Sequence, residues 1–205
     1  MATTTSGILA SSYSAMTNFT INSSYPITRA YTNTSSTTYT QINVSKRNST
    51  GTFSFTGFDF SSIPANAIIS SVTVKFKGMV SSTSYISAAT VRAQKNGTNV
   101  GSATSFRSTS ASTYTLSVGT WSRADLDNFS LYISATRGNT NNTSYVRIYG
   151  MDVSVVWDAP TEQLFYKENG TWTAASKVYK KVNGSWVQQT TLSGVFDPNT
   201  NYVKG

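Results

Sequence analysis

The 205-residue chain contains no cysteine and no histidine. Without them no Ser-His-Asp or Cys-His pair can form, and neither thiolate nor imidazole is present to hold a transition metal. Disulfides are excluded as staples, which argues against the usual small secreted animal domain. Carboxylates are scarce: Asp59, Asp125, Asp127, Asp152, Asp158, Glu162, Glu168 and Asp197 make up all eight. A glycosidase needs two of them facing each other. Asp125 and Asp127 are close in sequence but sit in a polar, turn-like stretch, and no Asp-rich loop suggests a calcium site. The expectation is a chain that is not an enzyme and takes no cofactor and no metal. No run approaches the roughly 20 apolar residues of a membrane span. Met1 to Ala10 also lacks the basic and apolar segments of a signal peptide, so neither membrane nor leader is expected.

Charge is also sparse, at 12% of residues, yet the balance is +8. Lys and Arg are spread along the chain, with only small groups such as Lys46-Arg47 and Lys180-Lys181, whereas nucleic-acid binders gather charge on one element. No nucleic-acid partner is expected. Spread positive charge suits weak attraction to an anionic surface, such as an acidic protein shell or a cell-wall polymer, and serves plain solubility equally well. Roughly a third of the residues are Ser or Thr. Asn-x-Ser/Thr triplets such as Asn18 to Thr20 follow from that abundance alone. The 12 Tyr, 10 Phe and 4 Trp supply large units of burial. A disordered chain carries fewer aromatics, so the composition reads as a folded all-β protein with hydroxyl-rich faces.

Periodicity along the chain agrees. Ile69 through Val80 alternates, with Val72, Val74, Phe76, Gly78 and Val80 on one face and Ser71, Thr73, Lys75 and Lys77 on the other. Phe53 and Phe55 alternate with polar residues. Pro64 breaks pairing after Phe58 and Phe60. Residues 89–95 and 100–106 flank Asn96-Gly97 as a hairpin. Tyr114, Leu116 and Val118 alternate, as do Phe129, Leu131, Ile133 and Ala135, and Arg123 to Asp127 reads as a single helical turn. Tyr145 to Trp157 is the longest predicted strand. Tyr145, Tyr149, Met151, Val153, Val155 and Trp157 are placed on its core face, with Val146, Ile148 and Val156 on the other. Trp121 and Trp157 read as sandwich packing, and Arg92, Lys95 and Arg107 as solvated strand-face charges or a basic rim. About eight strands with turn signals roughly every 8 to 15 residues, a little looser than in compact sandwiches, predict a two-sheet, jelly-roll-like sandwich over residues 26–158. Residues 1–25, with Ile8-Leu9 and Met16, read as an N-terminal arm or short helix laid against a neighbour. Residues 159–163 read as a linker.

Near the end a motif repeats. Tyr166-Lys167-Glu168-Asn169-Gly170-Thr171-Trp172 returns, with one insertion, as Tyr179-Lys180-Lys181-Val182-Asn183-Gly184-Ser185-Trp186. Asn-Gly tolerates the positive φ of a type I′ turn, so residues 164–205 read as a tandem β-hairpin module. Two small hairpins bury little by themselves and suit an appendage that packs on something else. Tyr166, Trp172, Tyr179 and Trp186 are the candidate contact residues, as a hairpin core, a docking patch for a neighbouring subunit, or a platform for stacking sugar rings.

Gly57-Phe58-Asp59-Phe60-Ser61-Ser62-Ile63-Pro64-Ala65-Asn66-Ala67-Ile68-Ile69, followed by an alternating strand, resembles the opening of a β-sandwich module of tailed-bacteriophage structural proteins and some bacterial surface proteins. Trp121 to Phe129 and the two strands after it resemble the second half of that module. The segment from Val178 to Gly205 is similar to C-terminal segments of structural proteins in phages of Gram-positive hosts. The resemblance spans residues 50–205 and rests on no catalytic signature. It implies a virion component exposed at the particle surface, on a tail tip, fibre or capsid. Implied partners are other virion proteins, further copies of the chain (a trimer, by analogy) and a host cell-wall glycan. The alternative is a carbohydrate-binding module of a bacterial surface protein.

Overall fold

A computed structural model describes residues 2–159, 165–168, 171–174, 178–182, 184–189 and 202–204. The chain is all-β, and Met1–Ala159 and Pro160–Gly205 form two compact units. The first is a sandwich of two antiparallel sheets. Its principal strands are β4 (Thr40–Val44), β5 (Ser49–Thr56), β6 (Ile68–Val80), β7 (Ile86–Lys95), β8 (Thr98–Ser105), β9 (Ser112–Leu116), β10 (Phe129–Arg137) and β11 (Tyr145–Asp158). One sheet runs β4-β11-β6-β9 and the other β5-β10-β7-β8. Among these eight strands, every connection except the β7–β8 hairpin crosses from one sheet to the other. This is the winding of a jelly roll, in which two Greek keys close over one core.

Side chains from the two inner faces meet between the sheets. Phe76, Val74, Ile148 and Met151 come from the first, and Phe55, Val91, Leu131 and Ile133 from the second; all are fully buried. Phe53 meets Phe55 edge to face at 4.9 Å and Phe19 at 5.7 Å, the geometry that aromatic quadrupoles favour. The β7–β8 turn is the expected one: Asn96 and Gly97 take φ of 48° and 73°, as a type I′ turn demands. The short helix α1 (Arg123–Leu126) closes one end with a capping box, in which Ser122 Oγ accepts from Asp125 N and Asp125 accepts from Ser122 N. Trp121 is buried against Phe129 and donates its indole N–H to Val118 O, so its expected packing role holds.

Two expectations are corrected. Residues 1–25 do not form a separate arm. They supply β1 (Thr3–Ile8), β2 (Ser12–Tyr13) and β3 (Phe19–Ile21), which pair with β11, β5 and β4 of the same sandwich. The cause lies in strand lengths. β11 has 14 residues, and β4 covers only Tyr145 to Ile148 along one edge. β1 takes up Val153 to Trp157 on that edge, pairing backbone groups that would otherwise be left open, and Ile8, Ala10 and Phe19 enter the core.

The second correction concerns β11. Its pairing with β6 slips between Ile148 and Gly150, so Tyr149 is an extra residue in the ladder. A bulge of one residue switches the phase of a strand. Val146 and Ile148 therefore point inward before it, and Met151, Val153 and Val155 after it. Tyr145 and Tyr149, expected in the core, lie on the outer face with Arg147.

In the second unit, β12 (Phe165–Glu168) pairs with β13 (Thr171–Ala174), and β14 (Val178–Val182) with β15 (Ser185–Gln189). A third strand, β16 (Tyr202–Lys204), adds to β14 beyond the two hairpins expected from sequence. The expected linker falls, apart from Ala159, outside the described residues.

Candidate functional site

The outer face of the first sheet carries a connected group of half-buried aromatic and cationic side chains. Antiparallel register puts Tyr145 opposite Asn43 and Arg147 opposite Gln41. Continuing the same alternation, Tyr39 stands beside Tyr149, with ring centres 5.3 Å apart. Tyr25, from the segment before β4, stacks on Tyr39 at 4.9 Å with the planes 21° apart. The Arg147 guanidinium lies 4.4 Å from the centre of the Tyr39 ring and 4.9 Å from that of Tyr145, and Arg147 Nε donates to Gln41 Oε1 at 3.2 Å. Lys77 Nζ and the Arg29 guanidinium flank the group, each 5.4 Å from a ring, that of Tyr149 and Tyr25 respectively. Such cation–π contacts hold about 0.5–1 kcal/mol each at exposed sites. Together they fix three tyrosines in a row with a guanidinium set among them.

The segment between Tyr31 and Tyr39 is fastened over the bulge. Met151 N donates to Thr32 O at 2.8 Å. Asp152 Oδ2 accepts from Thr34 N and Oγ1, at 3.3 and 2.9 Å, and Lys77 Nζ donates to Ser36 O at 2.9 Å. Gly150 permits the approach, because a Cβ there would lie 2.3 Å from Asn33 O. Thr40 Oγ1 donates to Tyr25 O at 2.9 Å and ties the Tyr25 turn to β4. The Tyr39 phenol is held above the ordinary tyrosine range, first by the Tyr25 hydroxyl beside it and then by burial, against the opposing pull of Arg147. Chemically the arrangement offers flat apolar rings, phenolic hydroxyls and fixed positive charge. Among the described residues no group of three or more His, Cys, Asp or Glu is placed to hold a metal.

The residues singled out from sequence fare differently. The backbone puts Tyr166 opposite Thr173, Trp172 opposite Lys167, Tyr179 opposite Gln188 and Trp186 opposite Lys181. No two of the four aromatics are directly paired across a ladder. The side chains of Tyr166, Trp172 and Tyr179 lie outside the described residues; Trp186 is 46% exposed. Arg92, Lys95 and Arg107 reach solvent, and each is also hydrogen-bonded to the protein. Arg92 donates to Gly101 O, Lys95 to Thr120 O and Asp125, and Arg107 to Ile86 O and Thr83 O. Asp125 and Asp127 are likewise taken up, by Lys95 and Arg123. Tyr25, Tyr39 and Arg147 were missed. The available signal was Gly150, an isolated glycine in a long strand, which is a bulge cue and reverses the assignment of every side chain before it.

No protein-family model and no curated protein sequence matches the chain. Among solved structures it is similar to the native structure of a family 35 carbohydrate-binding module from Clostridium thermocellum. That likeness has a TM-score of 0.33 and 14% identity, and covers 74% of this chain and 97% of the other.

Proposed function

We propose that the chain is a structural protein of a tailed-bacteriophage particle, displayed on the virion surface, that holds to the host envelope by stacking glycan against the tyrosine row of the first sheet. The observation that carries the binding half is the Tyr25–Tyr39–Tyr149 row with Arg147 beside it. Sugar rings present C–H faces that lie on aromatic planes, and their hydroxyls take hydrogen bonds from phenols and guanidinium. Rings already fixed by their neighbours lose little freedom on binding. What supports the virion half is the resemblance of residues 57–69, 121–129 and 178–205 to phage structural modules. Other virion proteins and further copies of the chain are the proposed assembly partners, and repeated weak contacts on one particle sum through avidity. The role is adhesive and uses no reactive group.

Immunogold labelling of particles from a phage that encodes the chain tests this. Label at a tail tip, fibre or capsid is expected; particles that carry none of the protein contradict it. A carbohydrate-binding module of a bacterial surface protein is the second reading, favoured by the fact that the tyrosine row is complete within one chain. Label on bacterial cells in place of particles, with tight glycan binding by a monomer, would select it.

A further inference from the structure

Resting on the adhesive reading above, we infer that the tyrosine row takes a glycan bearing an oxyanion, a carboxylate or a phosphate, with Arg147 as the anion receptor. Arg147 is held by its two flanks, the Tyr39 and Tyr145 rings, and by Nε on Gln41. Its terminal nitrogens make no hydrogen bond to protein among the described residues, and no carboxylate pairs with it there. A guanidinium fixed in this way presents two parallel N–H groups, the geometry that matches a carboxylate or phosphate. Lys75, Lys77 and Arg29 add positive charge to the same face. Asp152, opposite Lys75 in the ladder, accepts from Thr34 N and Oγ1, and its single negative charge is outnumbered by these cations. Rings beside a fixed cation describe a sugar unit with its acid group reaching Arg147.

The full chain is titrated at physiological ionic strength, where charges farther than about 8 Å are screened and only close contact is read. The probes are polygalacturonate, its methyl ester, a poly(glycerol phosphate) and polyglutamate. At least one of the two anionic polyhydroxy polymers is expected to bind about tenfold or more tightly than the methyl ester. The tighter of those two identifies carboxylate or phosphate as the source of the oxyanion. Arg147→Lys keeps the charge and removes the fork; it is expected to abolish that preference, weakening the anionic polymer far more than the methyl ester. Lys77→Gln, away from the fork, is expected to weaken anion binding less than Arg147→Lys does. Equal binding of polygalacturonate, poly(glycerol phosphate) and methyl ester, dependent on Tyr39, would overturn the anion receptor and leave the adhesive reading standing. Polyglutamate bound as well as the preferred glycan, or an unchanged preference in Arg147→Lys, would also overturn it, because bare charge would then suffice. Binding of no polymer would remove both.

Discussion

Arg147 and Tyr39 are 108 residues apart in sequence, yet the pairing of β4 with β11 brings the guanidinium to 4.4 Å from the ring centre. Tyr39 also touches Tyr25 and Tyr149, so it is the common neighbour of the group. Tyr39→Ala removes two ring contacts and one cation–π contact. The expected cost is about 1–3 kcal/mol of stability, read by urea titration. Glycan retention on a cell-wall column is expected to fall at least about tenfold while the far-ultraviolet spectrum stays β.

Gly150 and Asn33 form the tightest backbone approach beneath the site. A methyl group at residue 150 would lie 2.3 Å from Asn33 O and 2.6 Å from Thr32 O, both backbone atoms that cannot rotate away. Gly150→Ala is expected to destabilise by about 1–3 kcal/mol in urea titration and to displace the segment leading to Tyr39. Asp152→Asn weakens the Thr34 latch alone, and should reduce glycan retention with a smaller loss of stability.

Removal of residues 1–10 tests the assignment of β1 to the sandwich. It uncovers the β11 edge from Val153 to Trp157 and takes Ile8 and Ala10 from the core. The shortened chain is expected to melt several degrees lower and to associate through the bared edge, seen by light scattering. An unchanged melting temperature with loss of assembly would restore the arm.

Asp125 sets an acid limit on stability. Its carboxyl is lowered from 3.8 to about 2, first by the Ser122 backbone N–H and then by Lys95. A depressed folded value means the contribution is present above the unfolded value, shrinks from about pH 4 downward, and is gone once pH falls through about 2. The group is partly exposed, so the effect is modest. Thermal melts of the wild type should decline across that interval, and Asp125→Asn should lose this part of the decline.

Much of the sandwich was legible because its strands alternate cleanly. Val72, Val74 and Phe76 mark one buried face, Phe53 and Phe55 another, and Asn96-Gly97 can serve little else than a tight turn. The N-terminal strands were not legible, since Thr3 to Gly7 has no apolar alternation and owes its strand state to the open edge of β11. The candidate site was hidden by one residue. Counting by twos through β11 is right on each side of the bulge and wrong across it, so Tyr145 and Tyr149 were assigned inward. Tyr25 and Tyr39 sit in segments without a repeat, and only the fold brings them together.

The proposed adhesion runs through the outer face of the first sheet. The direct measurement is binding of the full chain to cell walls of a Gram-positive host, for wild type and for Tyr39→Ala/Tyr149→Ala, with folding checked by thermal melting. Saturable binding by the wild type, reduced at least about tenfold in the folded double variant, is the predicted result. Equal binding by both proteins would contradict it.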